Sequence, residues 1–365
     1  MSQRSSGRGP STRARLRRRV EGYVRNAWGG HPGPVLRLAE VVFCAVADAR
    51  RRLYDGGILR SSHAPLPVIS VGGVTVGGSG KTPLTAELAG WLIESGERVA
   101  VLTRGYADEL AVHTKLNPSA TVVGQPSRLR AARTASEAGA TVALLDDGFQ
   151  HLELARDLDV VLLDLDAVAR TNGRRLPAGP FRDSLDQLTR ADIVVLVRRA
   201  AKSADLRETG ARLQESVQGT AWASCAVEPD RLVPANAAAG KLPEPNPAVG
   251  LTGVMKPNLF FERLGELCPG IEVTHSVPDH TAPAEEELRR LIDAAGTRGI
   301  VTTLKDAVKL GGGIPPNVPL WYVADRVTWE TGEDILRAMM SACLDEARRG
   351  GSTLPPKPAK ASAST

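Results

Sequence analysis

Val71-Gly72-Gly73-Val74-Thr75-Val76-Gly77-Gly78-Ser79-Gly80-Lys81-Thr82-Pro83 is the stretch that decides how this 365-residue chain folds. It follows an apolar run and opens a helical pattern, the context in which a glycine-rich loop cradles phosphates. Glycines let backbone N–H groups converge on an anion, and the helix start adds its partial positive charge. Gly77, Gly78, Ser79 and Gly80 form the turn. Lys81 then reaches the β- and γ-phosphates, and the Thr82 hydroxyl is offered to Mg²⁺. Pro83 suits a first helical turn, where a missing N–H costs nothing. The strict pattern has glycine where this chain has Thr75. The reading is a nucleoside triphosphate site.

Outward from the loop, apolar strands alternate with amphipathic helices. Strands are expected at Leu66–Val71, Arg98–Leu102, Thr141–Leu145, Asp159–Leu163 and Asp192–Val197. Their unbroken Val/Leu/Ile character suits a parallel sheet covered on both faces, so the fold class is α/β, doubly wound and P-loop NTPase-like. Leu84, Leu88, Trp91 and Leu92 line one side of the helix after the loop. Thr141–Leu145 runs into Asp146-Asp147-Gly148-Phe149-Gln150-His151. Two acids, an amide and an imidazole at the carboxyl end of a buried strand exceed what a turn requires, and read as metal binding and substrate positioning.

The Pro- and Ala-rich stretch Leu232–Pro247 breaks the alternation; strands at Val249–Thr252, Gly299–Thr302 and Leu320–Val323 follow it, with helices at Leu259–Leu267 and Ala284–Ala295. The expected organisation is a basic tail (1–34), a P-loop domain (35–220), a smaller α/β domain (221–348) and a polar tail (349–365). Residues 1–30 hold eight arginines against Glu21 alone, a surplus of seven; with +5 overall, the remainder carries 5 − 7 = −2. That balance gives no nucleic-acid-binding body. Val35–Tyr54 forms an amphipathic helix closed by Arg50, Arg51 and Arg52, with Arg37, Glu40, Asp48 and Arg51 on one stripe. It can pack on the core or lie in a membrane interface. No apolar run is long enough to span a bilayer. Four scattered cysteines form no CxxC pair, which fits a reducing compartment. Nothing points to a protein partner.

In these residues the chain resembles the tetraacyldisaccharide 4′-kinases. The likeness rests on Val76–Pro83, Thr103-Arg104-Gly105-Tyr106, Asp146–His151, Leu176-Pro177-Ala178-Gly179-Pro180-Phe181-Arg182, Leu251-Thr252-Gly253, Pro278-Asp279-His280 and Thr302-Thr303-Leu304-Lys305-Asp306, in that order. The family's loop also carries Ser or Thr at the Thr75 position. The resemblance implies ATP- and Mg²⁺-dependent phosphorylation of the 4′-hydroxyl of a lipid disaccharide 1-phosphate, by a peripheral enzyme on the cytoplasmic face of the inner membrane. It implies that Val35–Tyr54 is the membrane-associating helix. Lys81 and Thr82 then serve phosphates and metal, and Asp146 and Asp147 the metal and the acceptor. Arg104, Arg128, Gln150, His151 and Arg182 fall near the substrate, His280 in the acid–base pair, and Lys305 and Asp306 against the nucleotide base.

The chain departs from that pattern between Tyr106 and Asp146. The family's Gly-Asp-Glu-Pro block, whose Asp partners the catalytic His, is missing, and the only acids there are Asp108, Glu109 and Glu137. Asp108 and Glu109 follow the Arg-Gly-Tyr motif directly and are the candidates to replace it. Gly73 stands where the family usually has Asn, and Leu304 where it has Glu. These departures leave a non-catalytic nucleotide- and lipid-binding relative as the alternative. A P-loop GTPase or metal-delivery ATPase is disfavoured, since no Asn-Lys-x-Asp motif is present.

Overall fold

The computed structural model describes Trp28, Gly30 and residues 32–350, except 172, 200–202, 243, 255, 279 and 280. The arginine-rich segment 1–27 and the terminal segment 351–365 lie outside the described residues.

The first half begins with helix α1 (Pro34–Asp55), strand β1 (Val68–Gly73) and α2 (Lys81–Glu94). Then come β2 (Val99–Thr103), α3 (Ala107–Leu116), β3 (Thr121–Gly124), α4 (Arg128–Glu137) and β4 (Val142–Asp146). β5 (Leu158–Asp164), α5 (Leu165–Thr171), β6 (Ile193–Arg198) and α6 (Ser203–Ser216) complete it. β7 (Ala221–Pro234) leads through α7 (Ala237–Gly240) into β8 (Val249–Thr252), α8 (Pro257–Leu267), β9 (Val273–Ser276) and α9 (Glu285–Ala295). The described residues end with β10 (Ile300–Thr303), α10 (Leu304–Leu310), β11 (Leu320–Thr331) and α11 (Glu333–Arg348).

The eleven strands of the described residues join one sheet in the order β3-β2-β4-β1-β5-β6-β7-β11-β10-β8-β9. Each expected strand is present, shifted by at most two residues at its ends, save that the last runs on to Thr331. β1, β4 and β5 are almost wholly buried, as a parallel sheet covered on both faces requires. β7 against β11 is the only antiparallel strand pairing among the described residues. This long ribbon is the seam through which the two halves share a sheet, and sequence patterning missed it.

One core, under α2, also takes Leu336, Met340 and Leu344 from α11, so the last described helix closes the first half. A second core, on the opposite face, gathers Val74, Phe149, Phe181 and Leu188 behind the phosphate loop. β1 sits between β4 and β5, and its connection through α2 leads past β4 to β2. The strand order thus reverses beside β1, and ligands gather outside the carboxyl ends of strands at such a point.

Helix α1 is amphipathic as expected, but turned outward. Asp48 takes a two-pronged pair from Arg175, at 2.8 and 3.2 Å, and Glu40 accepts from the Arg175 backbone N–H at 2.6 Å. Glu40 and Asp48 of the polar stripe therefore face the protein, whereas Arg37 is exposed and Leu36, an apolar residue of the same helix, is buried. Val35, Leu38 and Val46 stand 77%, 69% and 66% exposed, and Val41 and Val42 join them on the outer face. The Arg50 guanidinium donates to the Gln150 carbonyl at 3.2 Å, which sets the helix beside the Asp-Asp-Gly motif.

Candidate active site

The phosphate loop is held by backbone bonds to the motif that follows residue 175. Val76 N–H donates to the Pro180 carbonyl at 2.8 Å and Arg182 N–H to the Val74 carbonyl at 2.7 Å. Between them Thr75 forms an antiparallel bridge with Phe181. Extended backbone tolerates a Cβ, which is why threonine serves where the strict pattern has glycine. Gly77, Gly78 and Gly80 take φ of 62°, 64° and 84°, left-handed values that strain other residues. Gly80 is the N-cap of α2 and no side chain caps that helix. Its first-turn amides keep their role as anion donors. Gly72 is fixed by contact: a Cβ there would lie 2.5 Å from the Phe149 Cβ.

The two aspartates differ in company. Asp146, the last residue of β4, accepts from Thr82 Oγ1 at 3.3 Å and Thr85 Oγ1 at 3.4 Å. Thr82 and Asp146 are hard oxygen donors on facing elements, the set Mg²⁺ takes when phosphates and waters complete its shell. The residues therefore fit that ion. Asp147 adopts φ 58°, a value uncommon outside glycine, and so turns its carboxylate into a ring of cations. Arg182 Nη1 lies 2.8 Å from both of its oxygens, Arg104 Nη2 at 3.4 Å and Lys81 Nζ at 3.5 Å. Burial would raise the Asp147 pKa; Lys81, Arg182 and Arg104 outweigh it and bring the group down to about 2. Gln150 braces the ring, accepting from Arg182 at 3.1 Å and donating to the Gly73 carbonyl and to Asp183, both at 2.9 Å.

The loop, Lys81, Thr82, Asp146, Asp147, Arg104, Gln150 and Arg182 thus converge as the sequence suggested. Arg128 is buried beside them, its pKa lowered first by burial and then by Arg104. Burial, then Arg128, pushes the His151 imidazole down as well. Asp108 belongs to a second cluster, where Lys309 Nζ lies 3.5 Å from it and 3.6 Å from Asp306. Asp306 is buried, and its Oδ2 accepts from Gly253 N–H and the Thr303 hydroxyl, each at 2.8 Å. Lys305 precedes it in the first turn of α10. His280 lies outside the described residues.

Two residues escaped the sequence reading, and a third, Glu109, had been considered only as a replacement acid. His113, on α3 and buried, places Nε2 2.8 Å from Asp146 Oδ2. Its one legible signal was a position following the Arg-Gly-Tyr motif. Arg199 donates to the Gly78 carbonyl at 2.6 Å and lies 3.8 Å from Asp325 on β11, tying the loop to the seam. Glu109 accepts from the Arg104 N–H at 3.3 Å, and burial, then Asp146, raises its pKa.

Comparison with known proteins accords with this geometry. The family model for tetraacyldisaccharide-1-P 4′-kinase matches residues 33–121 and 108–344. A tetraacyldisaccharide 4′-kinase from Anaeromyxobacter sp. (strain K) is 36% identical over 356 residues, covering 87% of this chain and 94% of the relative. The enzyme of that name from Geobacter sulfurreducens is 32% identical, covering 79% and 87%. A crystal structure of LpxK from Aquifex aeolicus in complex with ATP superposes with a TM-score of 0.63 at 26% identity, covering 84% of this chain and 97% of that one.

Proposed function

The chain belongs to the tetraacyldisaccharide-1-P 4′-kinase family, and from that membership we propose that it transfers the γ-phosphoryl group of ATP to the 4′-hydroxyl of a tetraacyl-disaccharide 1-phosphate. The observation that carries this reading is the convergence of Lys81 and Thr82, at the start of α2, with Asp146 and Asp147, at the end of β4.

Phosphoryl transfer needs little covalent help from protein; alignment and charge neutralisation supply most of the rate. In this reading the amides of Gly77–Lys81 hold the triphosphate and Lys81 moves from Asp147 onto its terminal oxygens. Thr82 and Asp146 hold Mg²⁺, which when bound neutralises charge on the phosphate oxygens. Arg182 and Arg104 are long, redirectable cations suited to the substrate's 1-phosphate or to the transferring group. Asp147, brought down to about 2, is a weak proton acceptor and serves better to hold the three cations in place. The acceptor proton then falls to His280, as the family resemblance implies, with Asp108 as its partner. In support, Lys309 lies 3.5 Å from Asp108 and lines the same small cavity as Thr281, the residue after His280.

The lipid substrate calls for a membrane surface, and α1 offers one. Among the described residues no helix is long and apolar enough to cross a bilayer. Its outward apolar face would lie in the interface, each large side chain contributing roughly 1 kcal/mol or more on burial. The cytoplasmic face of the inner membrane is where ATP and this substrate meet. Replacing Val41 and Val42 by Glu should abolish co-sedimentation with anionic phospholipid vesicles; undiminished binding would sink the docking reading.

The deciding experiment is ATP-dependent phosphate incorporation into the tetraacyl-disaccharide 1-phosphate in mixed micelles. Lys81→Ala should lower turnover by roughly 10³-fold. Parent protein no faster than that variant would leave the non-catalytic, ligand-binding relative in its place.

A further inference from the structure

We infer that His113 is the positioning residue that fixes Asp146 for the metal, an inference that rests on Asp146 being a metal ligand. Among the described residues three side chains hydrogen-bond to the Asp146 carboxylate, and they are unequal. Thr82 and Thr85 sit at 3.3 and 3.4 Å, at the long end for hydroxyl donors. His113 Nε2 sits at 2.8 Å, the length of a strong bond to an ionised acceptor. Thr82, moreover, is itself expected on the metal; its oxygen lone pair would go to the cation while its O–H can still donate to Asp146, so its placement follows the metal rather than setting it. The histidine gives Asp146 its shortest bond, at a nitrogen that is not itself a metal ligand.

Its surroundings suit that single task. The ring is 1% exposed, so water does not compete for Nε2. A carboxylate only accepts, so the proton of this bond belongs to Nε2. Nδ1 is buried and makes no hydrogen bond among the described residues. One nitrogen works and the rest of the ring is filler. The ring comes from α3, whose Val112 packs in the core of the second half and whose Asp108 faces Lys309. His113 therefore couples the placement of Asp146 to a helix wedged between the two halves. Partners that orient a metal-ligating carboxylate typically affect metal affinity by roughly 10- to 100-fold.

The donor and the volume can be separated. Gln places its amide nitrogen near the Nε2 position; Leu fills similar space with no donor. The full chain would be titrated with Mn²⁺, followed by electron paramagnetic resonance, in the presence of a non-hydrolysable ATP analogue. Metal-free binding of a fluorescent ATP analogue would be measured in EDTA. His113→Leu should weaken Mn²⁺ binding by roughly 10- to 100-fold while metal-free nucleotide affinity stays within about twofold, and His113→Gln should recover most of the loss. Unchanged Mn²⁺ affinity in His113→Leu, or an equal loss of metal-free nucleotide binding, would overturn the assignment. If His113→Leu does not fold, His113→Asn takes its place, since its shorter amide stops short of Asp146; Asn equal to Gln would overturn it too. A parent protein that binds no Mn²⁺ beside the nucleotide analogue removes instead the metal reading of Asp146, a different failure from a parent that binds and a Leu variant that matches it.

Discussion

Asp147 and Asp306 each follow the carboxyl end of a parallel strand, and each carboxylate is crowded with partners, yet the partners differ in kind. Around Asp147 stand Lys81, Arg104 and Arg182, long side chains from three different segments. Around Asp306 Oδ2 stand a backbone amide, Gly253, and the short hydroxyls of Thr252 and Thr303, with a single long cation, Lys309, at 3.6 Å from the other oxygen. A long cation can swing from a carboxylate to a phosphate; an amide fixed in a turn cannot. The first arrangement suits a site that exchanges anions, the second a rivet between strand ends. An acid after a strand is therefore informative only through the reach of what surrounds it.

The largest effect that could break this contrast is on turnover. Asp147→Asn keeps the shape but releases the three cations from their anchor, and kcat/KM in the lipid kinase assay should fall roughly 10²- to 10³-fold with the fold intact. If the variant merely unfolded, Asp147 would be a rivet as well. Next in size, Asp306→Ala strands the Gly253 amide and two hydroxyls in a buried place. It should lower unfolding free energy by about 3 kcal/mol in urea titrations, while turnover per folded molecule stays within a few-fold. Loss of turnover in fully folded Asp306→Ala would invert the comparison.

A smaller effect sharpens it through pH. The folded Asp147 pKa of about 2 lies below its ordinary 3.8, so folding favours the ionised form. The stability this supplies, roughly 2 kcal/mol at most, is complete above pH 4 and lost as pH falls from about 4 to 2. Acid unfolding of the parent should steepen across that window, and Asp147→Asn should flatten it. An unchanged acid limb would mean the cations are not held as described.

How much of this was legible in the sequence depends on how local each signal is. β1, β4, β5 and β6 are runs of Val, Leu and Ile buried on both faces, and such runs announce themselves. β7 is interrupted by Glu228-Pro229-Asp230-Arg231, and the far part of β11 by Asp325, Arg326 and Glu330. Both belong to a half-exposed ribbon in which each strand's order depends on the other, so neither reads as a strand alone. In the site, the glycine loop and the Asp-Asp-Gly turn are contiguous motifs and could be placed in advance. His113 could not: its meaning lies in Asp146, 33 residues on, and a single histidine in a short helix of mixed polarity looks like any other polar residue. The periodicity of α1 marked a polar and an apolar face but not which one meets the protein; Arg174 and Arg175, more than 120 residues later, decide that.

The packing of α11 against the first core bears on how the molecule comes into being. Leu336, Met340 and Leu344 complete a hydrophobic cluster whose other walls, from Ile69 to Val227, leave the ribosome far earlier. A nascent chain that has emerged only as far as β10 holds an unfinished interior, open along the side that α11 will cover. Closure of the nucleotide half thus waits until α11 has been made, and truncating the last turns of this helix would wound the core beneath α2.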